Sequence, residues 1–208
     1  MKQYAIDLLS KIPNGADEDS LPEELSLDEI PKEHLLAVRE LLQSDDAYTV
    51  FQAARLLTCW GDDIGFNKLV RLFDNHDLYG FISHRLHGYD DTLQHVLDAL
   101  ISYWAVNSDK GERERAREKI FPYVAKIIED SNTQPFQINS IFWVVNKYKY
   151  QEYIKPLEKH LEKIIDHPEI HFWKIHDVIE FFLKIDPDFV NRLLKEKGKT
   201  LKDFNFQN

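Results

Sequence analysis

From residue 32 onward, apolar residues return every three or four positions, the spacing of helices with one buried face. "PKEHLLAVRELLQSDD" lines up Leu35, Val38, Leu41 and Leu42. "AYTVFQAARLLTCWG" then lines up Val50, Phe51, Ala54 and Leu57, with Gly61 suited to follow a helix end. These two stretches predict a helical hairpin. A second hairpin is predicted from "DIGFNKLVRLFDN" (Phe66, Leu69, Val70, Phe73) and "DTLQHVLDALISYWAV" (Leu93, Val96, Leu97, Leu100, Trp104). A third joins the stripe Ile120, Val124, Ile127, Ile128 to the stripe Ile138, Ile141, Phe142, Val145, with Pro122 expected to kink or restart its first helix. A fourth joins Ile154, Leu157, Leu161, Ile164 and Ile165 to Trp173, His176, Ile179, Phe182 and Leu183. "DPDFVNRLLKEKG" predicts a shorter last helix that starts with Pro187 at a first-turn position, and a first helix is expected over about Gln3 to Lys11.

The second helices of the hairpins, anchored on Leu57, Leu100, Val144 and Phe182, are separated by 43, 44 and 38 residues. Recurrence near 40 is the period of HEAT and armadillo repeats. "HLLAVRELLQSDDAYTVFQAARLLTCWGD" carries the likeness best: an apolar first helix, an acidic turn at Asp45 and Asp46, and a second helix in which Ala53 and Ala54 permit close packing. Residues 32 to about 184 resemble a HEAT-repeat array. The resemblance implies an all-α chain, a right-handed α-α superhelix of about four hairpins, forming a single domain over 1–208. Residues 1–31 would be an acidic N-terminal cap, 32–184 the repeats, and 185–208 a C-terminal cap whose helix closes the array.

Composition agrees with this expectation. The 208 residues are 43% hydrophobic and 12% aromatic, enough for a sizeable core, while 7 Gly and 8 Pro are too few for a protein of many tight turns. A single cysteine, Cys59, cannot form an internal disulfide and sits in an apolar run, where a thiol acts as a small buried hydrophobe. The chain has no window of about 18 apolar residues and no signal-type leader, so a cytoplasmic location and no membrane contact are expected.

The net charge is −10, and residues 1–46 hold 12 acidic against 4 basic residues, the rest 24 against 22. Binding to phosphate backbones rests on clustered Lys and Arg, so direct nucleic-acid binding is not expected. "GERERAREKI" mixes both signs at helical spacing, the composition of a solvated helix. An acidic surface instead draws a basic protein partner and speeds its encounter. The run containing Asp17, Glu18, Asp19, Glu23 and Glu24, with no base between, is a candidate docking strip.

The second hairpin departs from the others. Its helices are separated by residues 74 to 90, "DNHDLYGFISHRLHGYD", an insertion at the turn, and insertions in repeat arrays map to one face that is often the binding face. Tyr79, His84, Arg85, His87, Tyr89, Asp90 and Asp91 are its candidate partner-binding residues, since aromatic and Arg side chains concentrate binding energy. Asp90 or Asp91 can also cap the helix that begins at Thr92, with Gln94 three residues after Asp91 echoing a capping box. A metal or acid/base site built on His84 and His87 is the sharper alternative, but zinc needs converging side chains and spacing along a loop does not supply convergence. His160, His167, His171 and His176 contain no H-E-x-x-H pair on one helix face and are expected to be structural. No phosphate loop, nucleophile elbow or paired-cysteine motif occurs.

No enzyme activity, cofactor or metal is therefore expected, and a protein-binding module is. A small, acidic, HEAT-like chain is similar to bacterial immunity proteins. That resemblance implies neutralisation of a basic, nuclease-type toxin domain by masking its cationic surface. A generic protein-protein scaffold, or a HEAT-like enzyme using the His84/His87 loop, is the alternative.

Overall fold

The computed structural model describes residues 1–12, 21–25 and 27–206. Among them lie ten α-helices: α1 (Gln3–Leu9), α2 (Lys32–Glu40), α3 (Ala47–Cys59), α4 (Asp63–Asp74), α5 (Thr92–Asp109), α6 (Arg113–Asp130), α7 (Ser140–Tyr148), α8 (Ile154–Ile164), α9 (Pro168–Ile185) and α10 (Pro187–Glu196). Short 3-10 turns occupy Pro22–Glu24, Leu41–Gln43, Gln151–Tyr153 and Leu201–Phe204. No strand occurs among the described residues, only an isolated antiparallel bridge between Ser83 and Asp90, so the protein is all-α. Helices α2 to α9 cover the stretches in which the apolar period predicts helix. Two compact units divide the chain, Met1–Tyr123 and Val124–Asn208.

The first unit is organised around α3, which packs against α1, α2, α4 and α5. A helix with neighbours on several sides must be apolar nearly all round, and nine of the thirteen residues of α3 are buried, Ala53 and Ala54 completely. Asp46 caps its start by accepting the Thr49 N–H at 2.9 Å. Its end is closed by Gly61 at φ 75°: the Gly61 N–H donates to the Thr58 carbonyl and the Asp62 N–H to that of Leu57, which satisfies two carbonyls of the last turn. The same device recurs at Gly111 after α5. The Asp62 carboxylate then starts α4, accepting from the Ile64 and Gly65 N–H groups, and pairs with Arg39 of α2. Gly65 lies where α3 and α4 touch; a β-carbon there would stand 2.2 Å from that of Leu57.

In the second unit α9 packs against α8, α10 and the Leu201–Phe204 turn. Asp186 caps α10 through the Phe189 N–H, with Pro187 in its first turn as expected. The core face of α9 differs from the predicted stripe. Trp173 is 65% exposed, and Lys174 is buried in its place beside Ile175, Val178, Ile179 and Phe182. A long side chain can bury its methylene stem if its ammonium finds acceptors, and Lys174 Nζ donates to the carbonyls of Ser131 (2.7 Å) and Gln134 (2.5 Å). Pro122 does not restart α6, which runs from Arg113 to Asp130 around it. Its ring is exposed, so the carbonyl that lacks an N–H partner one turn earlier is placed toward water.

Candidate interaction site

Residues 75–91 connect α4 to α5 and lie in the first unit. The segment is anchored at one end by apolar contact: Leu78 is buried, and the Phe81 ring stacks on Phe51 of α3 at 5.0 Å and approaches Tyr48 at 5.9 Å. Its polar anchor is a pair of side chains at the start of α5. Asp90 Oδ1 accepts from the N–H (3.0 Å) and hydroxyl (2.6 Å) of Thr92, and Asp90 Oδ2 accepts from the Gly80 N–H (2.9 Å). The Thr92 oxygen in turn accepts from the N–H groups of Phe81 and Ile82, both at 3.0 Å.

Between these anchors the backbone folds back on itself. The Asp91 N–H donates to Ile82 O and the His84 N–H to Tyr89 O, both at 2.8 Å, and Gly88 supports the reversal at φ 70°. His84, His87 and Tyr89 come together at the tip. His84 lies 4.5 Å from Tyr89 and 5.0 Å from His87, while His87 and Tyr89 are 6.2 Å apart with ring planes 5° from parallel. His84 Nδ1 accepts weakly from the Leu86 and His87 N–H groups, both 3.3 Å away, which leaves the ring proton on Nε2 when the imidazole is neutral. Around the rings Arg85 and His87 are exposed, and Tyr79 and Leu86 are about four-fifths exposed.

The acidic candidates separate. Asp90 is engaged by the loop and by Thr92, so it is Asp90 that serves the start of α5. Asp91 occupies the residue before α5 but makes no side-chain capping bond, and the echo of a capping box with Gln94 is not realised through it. Asp91 is buried, one carboxylate oxygen has no hydrogen-bond partner, and the other is 4.0 Å from His95 Nε2. Burial raises its carboxyl above the usual range, against the pull of His95 and His84. Burial, followed by the charge of Asp91, also raises the Tyr89 phenol.

Of the acidic strip, Glu23 and Glu24 sit in the Pro22–Glu24 turn. Glu23 is 3.6 Å from Arg55 of α3 at the edge of a groove of about 500 Å³, and Glu24 is exposed and accepts the Leu21 N–H. Asp17, Glu18 and Asp19 lie outside the described residues. The structure therefore gathers Tyr79, His84, Arg85, His87, Tyr89 and Asp90 in one loop, and holds Glu23 and Glu24 on a separate turn. Among the described residues no three His, Cys, Asp or Glu side chains are placed to hold a metal ion, and no helix is long and apolar enough to cross a membrane.

A second polar cluster, in the second unit, was not legible as one. His160 is buried with Nδ1 2.7 Å from Asn132 Oδ1 and 3.4 Å from Ser131 Oγ, and its Nε2 has no partner. His171 is buried with Nδ1 unpartnered. Burial, then the charge of Lys174, holds His160 down to about 3 and His171 to about 4, and burial holds Lys174 to about 7. These imidazoles are neutral at neutral pH, and each keeps one buried ring nitrogen without a hydrogen-bond partner. Tyr150 and Tyr153 are also buried, whereas Trp143 is partly exposed beneath Lys147 at 5.6 Å.

No protein-family model, curated protein or solved structure matches this chain.

Proposed function

We propose that the protein is a helical binding module, built of HEAT-like hairpins, that engages a basic protein through its first unit. The observation that carries this reading is where the charge resides. Residues 1–123 contain 23 acidic and 13 basic residues, and residues 124–208 contain 13 of each, so the net charge of −10 belongs entirely to the unit that presents the 75–91 loop. A surface of one sign speeds association with a partner of the other and repels nucleic-acid phosphates. Exposed Tyr79, Arg85, Leu86 and His87 supply the aromatic, cationic and apolar contacts from which interface hot spots are made. Glu23, Glu24 and the run Asp17, Glu18, Asp19 supply carboxylates for the partner's cations.

Within this reading the partner is a toxin domain of nuclease type, whose phosphate-binding surface is cationic, and the protein acts as its immunity factor in the cytoplasm. The loop occupies the partner without chemistry. The test is capture of partners on the tagged full-length protein at low and high salt. A basic protein retained at low salt should then be assayed, purified, against a variant with Glu24, Asp45 and Asp77 changed to Lys. Association should slow and its salt dependence flatten, and co-expression of the wild-type protein should protect cells from that partner. Capture of no basic protein, or binding indifferent to the charge reversals, would overturn the reading.

A further inference from the structure

We infer that the ring cluster at the tip of the 75–91 loop is a seat for an arginine guanidinium of the partner; this rests on the reading of the first unit as a binder of basic protein. The three centroid distances of 4.5, 5.0 and 6.2 Å form a triangle, so the rings are not a column. His87 and Tyr89 stand side by side in nearly parallel planes, and His84 lies against both. The cluster contributes little to the fold, because Leu78 and Phe81 already anchor the segment to the core. It is nevertheless fixed: three backbone hydrogen bonds, Asp91 to Ile82, His84 to Tyr89 and Gly88 to His84, hold the reversal that carries it. A pre-ordered planar surface in water loses little entropy when a planar group settles on it.

Two planar groups suit such a surface, a guanidinium and a nucleobase. Charge separates them. The described loop carries Asp77 and Asp90 outside the core against one Arg, Arg85, and the unit behind it holds the whole excess of acid. That field opposes a phosphate backbone and favours a cation. Among cations, guanidinium is planar and weakly hydrated and stacks on rings, whereas the compact ammonium of lysine keeps its water. The loop therefore distinguishes two side chains of equal charge.

The experiment uses the full-length protein and two labelled peptides of equal charge, hexaarginine and hexalysine, followed by fluorescence anisotropy at low ionic strength, with ring resonances of His84 and His87 followed by NMR. Hexaarginine should bind roughly fivefold more tightly than hexalysine, a ratio that a stacking gain of about 1 kcal/mol produces. His87→Ala, at an exposed position, should bring the two affinities together, and the histidine ring signals should move with hexaarginine and not with hexalysine. Equal affinities with unmoved ring signals, or a preference that survives in His87→Ala, would overturn the guanidinium seat while leaving the acidic unit as a binder of cations. Binding of a dodecathymidine strand that shifts the same rings would overturn it in favour of base stacking. Failure of both peptides, together with failure to capture any basic protein, would remove the underlying reading as well.

Discussion

Thr92 and Asp90 form a reciprocal polar clamp: the Asp90 carboxylate takes both the N–H and the hydroxyl of Thr92, and the Thr92 oxygen takes two N–H groups from the far side of the loop. One threonine thereby joins the first turn of α5 to residues 81 and 82, eleven and ten positions upstream. Thr92→Val preserves the shape and removes the acceptor. The Phe81 and Ile82 amides should lose hydrogen-exchange protection selectively, with a stability cost of about 1–3 kcal/mol for the unmade bonds. Amide exchange followed by NMR reads both residues directly, and unchanged protection there would show that the clamp is not what fixes the loop.

Acid should destabilise the second unit before it affects carboxylates elsewhere. His160 and His171 titrate near 3 and 4 in the folded chain and near 6.5 when unfolded, so the unfolded chain takes up protons first. Their contribution is present above about pH 6.5 and is lost as pH falls toward 4, at up to about 1.4 kcal/mol per unit for each group. Urea unfolding at steps between pH 7 and 4 should show this decline, and His160→Gln with His171→Gln should flatten it.

Lys174 has the opposite range. Its folded value of about 7 lies below the usual 10.5, so between these limits the unfolded chain again holds more protons, and unfolding free energy should rise as pH increases from 7 to 10. The rise should be on the order of 2–4 kcal/mol at about 1.4 kcal/mol per unit. It should be missing in Lys174→Met, whose difference curve removes the contribution of surface groups.

Cys59 should be inert. Burial pushes its thiol up to about 12, and the thiolate is the reactive form. Reaction with an aromatic disulfide reagent at pH 8 should proceed only as fast as the chain opens, and become rapid in concentrated guanidinium. Rapid reaction of the native protein would mean that α3 is not the sealed centre of its unit.

The helices were legible because burial against one neighbour imposes a period, and that period is visible in one dimension. Leu57, Val96 and Ile179 could each be assigned to a core face from spacing alone, and all three are buried. Trp173 was placed on the core face by its size and spacing, whereas Lys174 takes that place. The acceptors that permit Lys174 to be buried are carbonyls about forty residues earlier, and no local pattern reports them. The insertion was legible as an interruption of the repeat, and its aromatic and histidine content marked it as more than a connector. The grouping of His84 with His87 and Tyr89 depends on a chain reversal at Gly88, and composition cannot distinguish that arrangement from an open loop. Asp91 was offered as a partner-binding or helix-capping carboxylate; here it is buried, with its N–H bonded to Ile82 O by the backbone turn.

The missing side chain at position 65 sets the spacing of α3 and α4, because the β-carbon of Leu57 and the main chain of Leu57 and Thr58 fill the volume that a β-carbon at 65 would need. A smaller side chain at 57 would free none of that room, because the obstructing atoms belong to the β-carbon and main chain that any residue except glycine brings there. Distant descendants of this sequence should therefore keep glycine at 65 whatever stands at 57, and its persistence would mark the crossing of the two helices without any coordinates.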